Sequence, residues 1–83
     1  MYLVKIEKSV IKKLEKIDDP QYSKIKKAIL NLSINPRPQG SLKLKGRDGY
    51  RIRAGDYRII YDIYDKILCV EVIELGHRKD IYN

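Results

Sequence analysis

The chain has a single cysteine, Cys69, and a single histidine, His77, among its 83 residues. One thiol cannot form an internal disulfide, and one Cys with one His cannot complete the usual zinc shells. The acidic residues are scattered rather than clustered, so no carboxylate metal site is expected either. No apolar run approaches the ~20 residues needed to cross a bilayer. Met1 to Ser9 alternates in polarity instead of forming the apolar stretch of a signal peptide. Nothing repeats, and no segment has the composition of a linker. The expectation is one domain over residues 1–83, needing no metal or cofactor, in the reducing cytoplasm and without a membrane partner.

Positive charge is what the chain has in excess. Eighteen basic residues against eleven acidic ones leave a net charge of +7. On so small a body that field draws polyanions, with nucleic acid the first candidate and an acidic protein the second. Hydrophobic residues make up 43%, enough for a folded core.

Tyr2, Val4 and Ile6 alternate with Leu3, Lys5 and Glu7, the period of a strand. Ser9 is placed to cap a helix carrying Val10, Ile11, Leu14 and Ile17 and ending near Asp18. Asp19-Pro20 signals a second helix start, a capping Asp before a Pro at the first helical position. That helix buries Tyr22, Ile25, Ala28, Ile29 and Leu32 and ends near Asn35, before Pro36 and Pro38. From Leu42 the period is two. Strands are expected over Leu42–Lys45, Tyr50–Ala54, Tyr57–Tyr64 and Ile67–Leu75, with Gly55-Asp56 and Asp65-Lys66 as two-residue hairpin loops. The fold class is therefore α+β: a strand, a two-helix hairpin, then an antiparallel β-meander, with the helices on one face of a twisted sheet.

The first hairpin fixes which residues share a face. With Gly55-Asp56 as the loop, Arg53 opposes Arg58, Ile52 opposes Ile59 and Arg51 opposes Ile60. Arg51, Arg53 and Arg58 then project together, away from Tyr50, Ile52, Ile59 and Tyr61. The second loop would pair Ile63 with Leu68, Tyr61 with Val70 and Ile59 with Val72, all apolar, which marks the same face as core. Adjacent arginines repel. A bound polyanion would turn that repulsion into attraction; a solvated strand face with arginine stems covering apolar surface is the other reading.

Three segments carry a resemblance: Leu44-Lys45-Gly46, the run from Tyr50 to Tyr61, and Gly76-His77-Arg78-Lys79-Asp80-Ile81-Tyr82. They resemble the RelE/ParE toxin superfamily, its RelE branch most closely, and the element order fits over essentially the whole chain. The resemblance implies the toxin of a type II toxin–antitoxin system: a ribosome-dependent, metal-free endoribonuclease that cleaves messenger RNA in the A site and inhibits translation. It implies an acidic, RelB-like antitoxin as protein partner, and the ribosome and messenger as targets.

Metal-free cleavage uses the 2′-hydroxyl of the RNA as nucleophile and leaves a 2′,3′-cyclic phosphate. The protein must then take the 2′ proton, stabilise a phosphorane-like transition state and protonate the leaving 5′ oxygen. Similarity assigns charge stabilisation to Arg58 and Arg78, with Arg51 and Arg53 nearby. RelE-type enzymes often carry lysines where this chain has Arg51 and Arg53. A guanidinium does not give up its proton, so these two are read as phosphate clamps. Proton transfer falls to His77 and to Tyr82, which stands at the place of the family's C-terminal tyrosine. Which is base and which acid stays open. Lys43, Lys45 and Arg47 would widen the footprint on RNA, or serve as a charged edge strand that resists aggregation. A ParE-like poison of DNA gyrase and a non-catalytic RNA- or ribosome-binding module are the alternatives.

Overall fold

The computed structural model describes residues 1–77 and Lys79. Arg78 and Tyr82, two of the four residues expected in catalysis, lie outside that range. Strand β1 (Leu3–Ile6) leads into helix α1 (Lys8–Leu14) and helix α2 (Gln21–Asn31). Strands β2 (Leu42–Lys43), β3 (Tyr50–Ala54), β4 (Tyr57–Tyr64) and β5 (Cys69–His77) follow. They form one five-stranded sheet in the order β1-β5-β4-β3-β2. Strands β2 to β5 are the antiparallel meander, and β1 joins parallel to β5, Leu3 beside Cys69 and Ile6 beside Val72.

Both helix starts shift by a residue or two from expectation. α1 begins at Lys8, and Glu7 rather than Ser9 is the cap; its carbonyl takes the N–H groups of Val10 and Ile11, both at 3.0 Å. Parallel pairing holds the chain up to Ile6, so the helix turns immediately after it. α1 stops at Leu14, and hydrogen-bonded turns carry the chain to Ile17. At α2 the cap position falls to Pro20 and the helix begins at Gln21, one residue later than expected; Asp19, just before the cap, still accepts the Ser23 backbone N–H at 2.9 Å and the Ser23 hydroxyl on its Oδ1. α2 ends at Asn31, and single turns reach Asn35.

The core lies between the helices and one sheet face. Val10, Ile25, Ile29 and Leu32 pack on Ile52, Ile59, Tyr61, Val70, Val72 and Leu75. Tyr61 is fully buried, and its hydroxyl donates to the Pro36 carbonyl at 2.8 Å, which ties the segment after α2 to the sheet. Burial pushes the Tyr61 phenol up to about 12.

The β3–β4 register is the one read from the sequence: Arg53 opposite Arg58, Ile52 opposite Ile59, Arg51 opposite Ile60. The β4–β5 register is not. Ile63 pairs with Val70, Tyr61 with Val72 and Ile59 with Leu75. The connection is longer than two residues, a 3₁₀ turn over Asp65–Ile67 followed by Leu68 in the left-handed region at φ 49°. That slides β5 by two positions, which preserves the face because side chains alternate with period two. A bulge opposite Ile60/Tyr61 then absorbs one more residue. Without it Glu74 would enter the core. With it Leu75 does, and Glu74 turns to the other face.

The tight turn before β3 needs Gly49. It sits at φ +119°, and a Cβ there would stand 3.3 Å from both Asp62 Oδ1 and Leu44 Cδ1.

Candidate functional site

The sheet face turned away from the core floors a cleft of about 800 Å³. Arg58 and Ile60 of β4 form its floor. Lys45 and Arg47 come from the β2–β3 turn, Arg51 from β3, Gly76 and His77 from β5, and Lys13 and Lys16 from α1 and the turn after it. Among the described residues six cationic side chains line the space. Among the described residues Glu74 is its one acidic side chain, and it holds Arg47 at 3.1 Å. That ion pair is half exposed and worth only ~0–1 kcal/mol. The excess of cations makes the cleft an anion site.

Arg58 is 2% exposed, the only buried charged residue among those described. Alternation along β4 turns it away from Ile59 and the core. Its cross-strand neighbour is Gly76, which brings no side chain over the guanidinium. Arg53, directly opposite on β3, is exposed.

His77 ends β5 opposite Tyr57, and the two rings meet edge to face at 5.5 Å and 80°. The Lys79 backbone N–H donates to His77 Nδ1 at 3.3 Å, which places the proton of the neutral ring on Nε2. Lys13 closes the wall near them. β1 pairs with β5 only from Cys69 to Val72, and beyond that stretch Lys13 Nζ donates to the Leu75 carbonyl at 2.9 Å.

The chain matches the family described as ParE toxin of type II toxin-antitoxin system, parDE, over residues 4–82. It belongs to that toxin family. A RelE-like toxin protein of Escherichia coli is 32% identical over 87 residues, covering 99% of this chain and 90% of that one. The toxin also superposes on the archaeal RelE–RelB complex from Pyrococcus horikoshii with a TM-score of 0.83. The identity there is 34%, over 93% of this chain and 94% of the other. The intact Escherichia coli RelBE toxin–antitoxin complex gives a TM-score of 0.78 at 28% identity, covering 93% and 96%. Membership in the RelE/ParE superfamily and the fold expected from the sequence therefore both stand.

Within the toxin, the cleft gathers Lys45, Arg47, Arg51, Arg58 and His77 of the residues singled out in the sequence. Arg53 shares the sheet face but lines a separate hollow between β3 and α2. Lys43 is not in the cleft. β2 pairs it with Tyr50, on the opposite face from Arg51, and its Nζ lies 5.4 Å from the Tyr50 ring centre. Lys13, Lys16 and Tyr57 also line the cleft, and the sequence reading had given none of them a site role. The lysines sit at i, i+3 on one side of an amphipathic segment. That pattern reads as a solvated face until the helix is placed beside β5. Among the described residues no His, Cys, Asp and Glu group of three could hold a metal ion, and no helix is long and apolar enough to cross a membrane.

A second polar cluster ties the opposite end of the toxin together. Arg37 reaches Asp65 with both Nη atoms, at 3.2 and 2.8 Å, and its Nε donates to the Tyr50 hydroxyl at 3.3 Å. The Tyr2 hydroxyl donates to the same carboxylate at 2.7 Å. Hydrogen bonds from Arg37 and then Tyr2 hold the Asp65 carboxyl down to about 2. The folded-state value lies below the unfolded ~3.9. The cluster therefore stabilises the fold fully above about pH 4 and loses that contribution as the pH falls through about 2. Thermal melts of wild type and Asp65→Asn are expected to differ at pH 7 and to converge by about pH 2. A difference that stays constant across that window would refute the linkage.

Proposed function

We propose that the cleft binds the phosphodiester backbone of messenger RNA and cuts it within the ribosomal A site. The observation that carries this reading is Arg58, a buried guanidinium at the floor of a cleft ringed by five further cations. A folded domain does not need six cations around one hollow. A guanidinium stays charged and donates two parallel hydrogen bonds to phosphate oxygens, and little water surrounds Arg58 to weaken them. Arg51 would clamp the neighbouring phosphate, and Lys13, Lys16, Lys45 and Arg47 would guide the strand in.

The chemistry follows from the substrate. The RNA 2′-oxygen attacks the adjacent phosphorus, and its proton passes to a base. Negative charge builds on the non-bridging oxygens, where Arg58 acts together with Arg78. The bond to the 5′ oxygen breaks, and that oxygen takes a proton. The products are a 2′,3′-cyclic phosphate and a 5′-hydroxyl end. His77, at the cleft edge beside Tyr57, and Tyr82 are the two candidates for proton transfer.

An acidic, RelB-like antitoxin is the expected regulator. It would be drawn to the cationic face, and the relatives crystallised with RelB support such a pairing. The reaction would take place on translating ribosomes in the cytoplasm.

The decisive experiment is primer extension on a message translated in a reconstituted system with the purified wild-type chain. New 5′ ends inside A-site codons, present only when ribosomes are, support the reading. The family description names parDE, which keeps a gyrase-directed toxin as the second reading. A supercoiling assay separates them: inhibition of gyrase with intact message would replace the nuclease by the gyrase poison.

A further inference from the structure

Glu74 is the one acidic side chain among the described residues of the cleft, and the bulge at Ile60/Tyr61 is what turns it to that face. It lies opposite Ile60, and Gly76, two positions on, lies opposite Arg58. Glu74 and Arg58 are therefore diagonal neighbours on one face of the sheet, ~7–8 Å apart on an antiparallel ladder. A single nucleotide spans that separation.

Binding gains nothing from a carboxylate beside the buried guanidinium, because it repels phosphate. The fold gains little either: the pair with Arg47 is half exposed, and such pairs contribute little to stability. What Arg47 does is fix the carboxylate in place. It takes Oε1 at 3.1 Å, and among the described residues Oε2 has no hydrogen-bond partner.

Among the described residues no other cleft group is as ready to take a proton. Ammonium and guanidinium groups are donors without an acceptor. His77 accepts the Lys79 N–H on Nδ1, so the proton of its neutral ring sits on Nε2, and that nitrogen is a donor as well. Tyr57 brings a phenol, which in its neutral form is a far weaker base than a carboxylate.

We infer that Glu74 is the general base of RNA cleavage, with Oε2 taking the proton of the 2′-hydroxyl next to the phosphate held by Arg58. The inference rests on the nuclease reading above and assigns a step left open there. As the 2′-oxygen bonds to phosphorus, its proton passes to the carboxylate. As the bond from phosphorus to the 5′ oxygen breaks, that oxygen takes a proton from the general acid, the role that remains for Tyr82 and His77. Glu74 then returns its proton to water.

Glu74→Gln keeps the size of the side chain and an oxygen for Arg47 but removes the charge. It is expected to lower the single-turnover cleavage rate at saturating toxin by about 100-fold or more, the scale of general base catalysis. Binding is read separately, on ribosomes whose message carries a 2′-deoxyribose at the cut nucleotide and so cannot be cleaved. There Glu74→Gln is expected to bind as tightly as wild type or more tightly, because an anion has left a phosphate site. A residue that only held Arg47 in place would show the reverse, weaker binding with an unchanged rate at saturation, and that result would overturn the inference. Glu74→Ala supplies a second arm. Formate is expected to raise its cleavage rate above that in chloride at equal ionic strength, since a small carboxylate fits the vacated space; an unchanged rate would overturn the inference. Wild-type cleavage matched by both variants would remove Glu74 and keep the nuclease. No cleavage by the wild-type chain would remove the nuclease reading and this inference with it.

Discussion

Replacing Arg58 by alanine is expected to lower cleavage of ribosome-bound message by about 100-fold or more. The estimate follows from the cost of removing one preorganised donor to a developing oxyanion, ~10²–10³ in rate. Among the described residues Arg58 is the one buried charge at the cleft floor, so no rim lysine can move into its place without leaving water. The stem also fills space, and the alanine variant will be less stable. Arg58→Lys addresses this. It keeps most of the stem and the charge but replaces a planar fork with a point charge. Its cleavage is expected to fall between wild type and Arg58→Ala, with a fold confirmed by circular dichroism. Both variants are to be compared by primer extension at equal folded concentration. Wild-type cleavage by Arg58→Ala would remove the guanidinium from the mechanism.

Ile59→Ala is expected to cost about 2–5 kcal/mol, the range for emptying a filled core site. Ile59 is fully buried, in a core cluster that draws residues from both helices and from β3 and β5. In a domain under 100 residues each kcal/mol moves the melting temperature by ~4–8 °C, so a fall of roughly 8–40 °C follows. Total stability for such a domain is about 5–15 kcal/mol, and the variant would approach unfolding near physiological temperature. Ile67→Ala is the comparison. That side chain is 72% exposed in the turn before β5, and a change within about 0.5 kcal/mol is expected. Thermal denaturation of both decides it: a similar effect at the two sites would show that the core is not where burial places it.

These two residues are neighbours in sequence and opposite in role, and alternation alone separates them. The two-residue Gly55-Asp56 loop sets Arg58 against Arg53 and Ile59 against Ile52, and both pairs are found. The second hairpin shows the limit of the same reasoning. Asp65-Lys66 reads as a tight loop, but the turn extends to Leu68, and β5 slides by two. The face survived because the slip was even. The bulge that brings in Leu75 in place of Glu74 had one sequence trace, the change of apolar spacing from Val70–Val72 to Val72–Leu75. Lys43 shows a different failure. Charge suggested a place beside the arginines, whereas pairing with Tyr50 sets it on the other face.

By itself the sequence determined the element order, the two apolar helix stripes, the face of the sheet that is core and the arginines that point away from it. All of these rest on periodicity and on short loops, interactions between residues near in the chain. The tertiary structure decided the rest. It placed β1 parallel to β5 at the sheet edge and the end of α1 against the Leu75 carbonyl. It brought Lys13 and Lys16 to the arginines, and Asp18 to the same hollow as Asp56. Those meetings join segments dozens of residues apart, and no local pattern encodes them. They follow from how the whole core closes, the physical step that turns a basic strand into a cleft.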